Sequence, residues 1–158
     1  MTRSSILLSI TCVIGAVAAA AAPVSHLPKA NTRAAVASYV QAAASVVQKS
    51  GPSCATFATP AWRSGDYYIF VVGPDGKGVC HPTASLVGKP MSDIVNSKGE
   101  KVGEKIDKMG MGDGSGWVDY LWKRPGKTTE EQKDTYVMGV TGPDHKHYIV
   151  GSGGWGLK

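Results

Sequence analysis

Cys80 and His81 are neighbours in GVCHP, residues 78–82, and an adjacent Cys and His are raw material for a nucleophile with its base or for two metal ligands. The residues before them read as the end of a strand, where consecutive side chains point to opposite faces. Cys80 and His81 therefore cannot share one site, and each needs its own account. His145 and His147, two apart, could aim at one side of a strand as a pair of metal ligands. Two ligands do not close a zinc site, and no Cys-x-x-Cys or His-Glu-x-x-His completes one. These histidines read as solvated turn residues, and no metal is expected. The segment GMGDGSG, residues 110–116, has glycine at every second position, yet it runs into GWVDYLW, a strand, whereas a phosphate cradle feeds a helix N-terminus. With no paired acids at a telling spacing and no Gly-x-Ser-x-Gly elbow, the sequence does not read as an enzyme, and no cofactor is expected.

The placement of these residues begins with the N-terminus. MTRSSILLSITCVIGAVAAAAAPVS carries one positive charge at Arg3, an apolar run from Ile6 to about Val17 and alanines before Pro23. That is the layout of a cleaved secretory signal, residues 1–22, with cleavage expected within Ala20 to Ala22. Its removal takes one Arg and no acid, so the formal charge of +5 falls to +4. The basic residues are scattered rather than run together, which disfavours nucleic acid as a partner and is compatible with a small anionic ligand. Export also removes Cys12 and leaves Cys54 and Cys80, an even count in an oxidising compartment, so a disulfide between them is expected. Closing a loop of 26 residues contributes on the order of 3 to 4 kcal/mol by chain entropy.

Residues 23–33 read as a leader, and one domain follows over 34–158. Behind Asn31 or Thr32 as a cap, RAAVASYVQAAASVVQKSGP repeats apolar residues at helical spacing and stops at Gly51-Pro52, giving an amphipathic helix of about 16 residues. A helical turn is expected in residues 53–59. DYYIFVV, residues 66–72, changes to a strand composition, and the Pro-Asp-Gly turn after it makes a hairpin with GVCHP. EKVGEKIDKM places Val102, Ile106 and Met109 on one face of a short surface helix. GWVDYLW, DTYVMGVT and HYIVGSGGW supply three more strands. The whole is an α+β domain with one antiparallel sheet packed by helices.

Five blocks in order, Y-x-F-V…DG…HP…L-V-G-K at residues 68–89, the helix with G-E-K-V, G-W-V-D-Y-x-W at 116–122, K-x-x-Y-V at 133–137 and a closing V-G-S-G, resemble the Cache family, specifically the single-Cache type 2 domains of bacterial extracytoplasmic sensors. The resemblance covers roughly residues 34–155. It implies a PAS-like fold: a long N-terminal helix on one side of a five-stranded antiparallel sheet, and a pocket on the other side under the short helices and loops between the second and third strands. It also implies a periplasmic or secreted sensor domain for a short carboxylate or related metabolite, feeding a membrane receptor or signalling partner. The candidate ligand-binding residues are His81, Trp117, Tyr120, Lys133 and Tyr136. Cys80 would face away from the pocket, toward the helical layer holding Cys54. Trp117 and Tyr120, three apart on one strand, face opposite sides unless a bulge intervenes. Lys133 and Lys89 are solvated by default, although an ammonium in an apolar pocket is what orienting a carboxylate requires. The chain stops at GGWGLK, which is similar to stand-alone exported members. The alternatives are an interaction domain with a vestigial pocket and a small secreted hydrolase using His81.

Overall fold

The computed structural model describes residues 24–112 and 114–158; the expected export signal lies outside the described residues. Helix α1 (Arg33–Ser50) starts where the Thr32 side chain accepts from the Ala35 N–H at 3.2 Å, which satisfies one of the amides left free in a first turn. It ends at Gly51, whose φ of 76° suits glycine and whose N–H reaches the Val47 carbonyl. Val36, Tyr39, Val40, Ala43, Ala44 and Val47 form its buried stripe. The two alanines let the helix axis lie close to the sheet.

Helix α2 (Cys54–Phe57) is the short turn expected in residues 53–59, and Cys54 and Cys80 form the disulfide that pins it to the sheet edge. Strands β1 (Phe70–Val72) and β2 (Gly78–Cys80) are shorter than their apolar runs, and a register shift falls between Val71, opposite Cys80, and Val72, opposite Gly78. Helix α3 (Val102–Gly110) precedes β3 (Ser115–Lys123), β4 (Glu130–Thr141) and β5 (His147–Gly154). Strand β4 begins four residues before the expected DTYVMGVT, because Glu130, Glu131 and Gln132 continue the pairing opposite Lys123, Trp122 and Leu121. Their polar composition hid them: an outer strand end has one face in water and needs no apolar alternation there.

The sheet order is β2-β1-β5-β4-β3, and every pairing is antiparallel. Helix α1 covers one face, packing on β4 and β5. The other face is covered by α3 and by two 3-10 turns, Ala84–Leu86 and Met91–Asp93. Helix α3 crosses the second turn so closely that a Cβ at Gly103 would strike the Met91 carbonyl. This is the PAS-like α+β arrangement expected from the sequence. Among the described residues no helix is long and apolar enough to cross a membrane.

Candidate ligand-binding site

Strand parity decides which residues meet under α3. The β3–β4 register runs without a bulge from Ser115 opposite Met138 to Lys123 opposite Glu130. Tyr120 thus sits beside Lys133, and Val118 beside Thr135, all on the face away from α1. Trp117 and Tyr136 pair on the opposite face, their rings 5.3 Å apart, with the Arg33 guanidinium of α1 4.9 Å from the Trp117 centroid. The five candidate residues therefore divide. His81, Tyr120 and Lys133 gather on the pocket face, and Trp117 and Tyr136 belong to the packing beneath α1.

On the pocket face, Phe70, Val72, Met91, Ile94, Val102 and Ile106 surround a void of about 40 Å³ whose polar boundary is Tyr68, His81, Tyr120 and Trp122. At roughly 10–15 Å³ of such free space per water, the void admits about three waters or a ligand of similar size. Phe70 lies across Gly151, where any Cβ would strike its ring. That contact holds the aromatic wall against the sheet.

Lys133 is 1% exposed. Its ammonium donates to the Tyr68 hydroxyl at 2.8 Å and lies 4.4 and 4.9 Å from the Tyr68 and Trp155 ring centroids. No carboxylate reaches it among the described residues; burial pushes its pKa down to about 7, and only the more distant negative charge of Asp66 works against that. Here the default of a solvated lysine fails, because a strand position opposite Tyr120 points inward whatever its side chain. Thr135, wholly buried, donates to the Tyr120 hydroxyl at 2.9 Å. Burial raises the pKa of both phenols, so each keeps its proton. The His81 Nδ1 accepts from the Thr83 N–H at 2.9 Å, which leaves any ring proton on Nε2. Burial first, and then the Lys133 charge, lower the His81 pKa to about 4. Its ring stands edge-on to Tyr68, with centroids 5.2 Å apart.

The family sequence model described as "Single Cache domain 2" matches residues 8–153. The chain belongs to the single Cache domain 2 family. A solved structure described as "Periplasmic sensor domain of chemotaxis protein" is similar at 30% identity and a TM-score of 0.53, over 65% of this chain and 68% of that one. A second, described as "Structural basis for carboxylic acid recognition by a Cache chemosensory domain", shares 28% identity at a TM-score of 0.48, over 56% of this chain and 59% of that one. A methyl-accepting chemotaxis protein from Vibrio parahaemolyticus shares 22% identity at a TM-score of 0.43, over 58% of this chain and 60% of that one. No curated protein matches the sequence significantly.

In this Cache domain, sequence reasoning missed Tyr68, Trp122, Thr135 and Trp155. Period-two parity held the signal for the first three: Tyr68 precedes Phe70 and Val72 on one face, Trp122 follows Tyr120, and Thr135 follows Lys133. Trp155 carried no signal, since its ring covers Lys133 through tertiary folding. Its indole N–H donates to the Trp122 carbonyl at 3.3 Å. The two turn histidines also separate. His145 is exposed in its turn with a φ of 60°, whereas half-buried His147 places Nε2 2.8 Å from the Gly110 carbonyl and ties the end of α3 to β5. Gly110 serves the same close approach, since a Cβ there would strike Ile149, whereas Gly112 has open space around it and takes a φ of 61°.

Proposed function

We propose that this Cache domain is an exported sensor module that captures a small anionic metabolite, most readily a short carboxylate, in the void bounded by Tyr68, His81 and Tyr120. The observation that carries the reading is the hydrogen-bond accounting of the two phenols. Tyr68 already accepts from Lys133, and Tyr120 already accepts from Thr135. Each hydroxyl therefore has its own proton left to donate. With Nε2–H of neutral His81 they form a set of donors with no carboxylate lining the void among the described residues, and the Lys133 charge stands behind Tyr68. A carboxylate is the acceptor-only group that such a set suits. The apolar walls leave space for a short aliphatic tail and offer nothing to a polar one. No nucleophile stands beside an activating base among these residues, and the reading is of a binding domain that hands its occupancy to a membrane or signalling partner.

Binding to the folded state alone at about 100 times the dissociation constant stabilises by roughly 2.7 kcal/mol, a rise of about 8 to 11 °C in Tm for a domain of this size. Acetate, propionate and related acids should produce that shift in the purified protein. Tyr120→Phe should weaken it about tenfold or more in affinity, as loss of a hydrogen bond to a charged group does. A panel of carboxylates, amino acids and amines that moves Tm by less than about one degree at millimolar concentration would overturn the reading.

A further inference from the structure

Outside the inner void lies a second concavity of about 460 Å³. Tyr68, Leu86 and Trp122 line both spaces, so the outer basin sits directly over the inner void. Four cations border it, Arg63, Lys123, Arg124 and Lys127, against a single carboxylate, Glu130. Glu130 is already engaged, accepting from the Ser97 N–H at 3.0 Å and the Ser97 hydroxyl at 2.6 Å. Arg124 is engaged too, with Asp66 at 3.6 Å and Glu131 at 3.2 Å. Among the described residues, Arg63, Lys123 and Lys127 have no acidic side chain in ion-pair range. Arg63, Lys123 and Lys127 thus border one concavity as cations outside any ion pair, against the one negative charge of Glu130 and with two aromatic rings in the lining.

We propose that this basin is a second anion site, distinct from the inner void, that takes a small multiply charged anion such as a tricarboxylate or a polyphosphate. Its volume falls in the range of small-molecule sites, about 300–1,000 Å³, and exceeds the inner void by an order of magnitude. A multiply charged ion does not suit the inner void, where most of the walls are apolar and the space admits only a few atoms. In the basin, each added negative charge meets another cation. The cations ring a single hollow and trace no track, which is the pattern for a compact ion and not for a nucleic-acid backbone. This inference rests on the basin alone and does not depend on what the inner void holds.

Isothermal titration of the purified protein at low ionic strength tests it, with citrate and inorganic pyrophosphate as probes. At least one of the two should bind, and the tighter one assigns the class, carboxylate or phosphate. The paired substitution Arg63→Glu with Lys127→Glu should weaken that binding by about tenfold or more, the scale expected when two exposed charge contacts turn repulsive. The same variant should keep the wild-type Tm shift with acetate. Tyr120→Phe should leave citrate and pyrophosphate binding unchanged. The proposal is overturned if neither probe binds at millimolar concentration, if binding survives the paired reversal, or if Tyr120→Phe abolishes it, which would place the ion in the inner void.

Discussion

The two faces of one sheet are built on different terms. Beneath α1, Val40, Ala43 and Val47 meet Val71 and Val150, all wholly or almost wholly buried and all apolar. On the opposite face Lys133 and Thr135 are buried as deeply as any valine, but they bring polar groups, a void and a covering of short turns in place of a long helix. A close-packed apolar layer returns its burial as stability, about 1.5–3 kcal/mol for a buried side chain of this kind. A buried ammonium without a carboxylate takes stability away. The anion capture proposed above would give this lysine a role other than stability. One face therefore holds the domain together, and the other buries an ammonium at a cost in stability.

Lys133→Met tests that contrast most severely. It should abolish the carboxylate-induced Tm shift while making the ligand-free protein more stable near pH 6, on the order of 1 to 3 kcal/mol, because the desolvated charge is gone. The wild-type pH profile supplies a second readout. With the Lys133 pKa lowered to about 7, the unfolded chain binds more protons than the folded one between about pH 7 and the ordinary lysine value near 10.4, so wild-type stability rises with pH across that window. The variant should lack this rise. Equal loss of stability and binding in Lys133→Met would mean that the lysine is a structural strut.

Val40→Ala probes the other face. Removing two methyl groups from a position that is 0% exposed should cost about 2 kcal/mol in chemical denaturation, through lost burial and an incompletely collapsed cavity. Acetate affinity should change by less than about twofold, because sites separated by the sheet and sharing no partners are close to additive. A large drop in affinity would show that the two faces are mechanically coupled.

Most of the fold was legible because its signals are local. Helix α1 announced itself by a cap at Asn31 or Thr32, its apolar period and Gly51-Pro52, and the hairpins by their Pro-Asp-Gly and Pro-Asp turns. The disulfide followed from compartment and count. The site was less legible, for a reason visible in Trp117 and Tyr136. Both are aromatic, both lie in the blocks that resemble the family, and strand parity puts them beneath α1, whereas the same parity applied to Tyr68 and Thr135 would have placed these two on the pocket face. Residue type suggested chemistry, but facing is set by register, and register became clear only once β3 and β4 were paired residue by residue. The buried state of Lys133 depends further on Trp155, twenty-two positions later in the chain, and no local pattern encodes that contact.

His81 gives the smallest and most selective test of the pocket face. Burial and the Lys133 charge lower its pKa from 6.5 to about 4, so on acidification below 6.5 the unfolded chain takes up a proton that the folded protein refuses until near pH 4. The unfolded state binds more protons throughout that window, and stability must fall as pH falls through it. His81 is only half-buried and water can approach it, so its share of the loss should be on the order of 1 kcal/mol. His81→Gln cannot titrate, and its denaturation midpoint should be flatter between pH 6.5 and 4 than that of the wild type, with little difference above pH 7. Because Lys133 helps to hold His81 neutral, Lys133→Met should let folded His81 take up its proton at higher pH and make the acid limb shallower. An acid limb identical in wild type, His81→Gln and Lys133→Met would show that the ring carries its proton without penalty, and neutral His81 could then no longer be counted among the donors of the site.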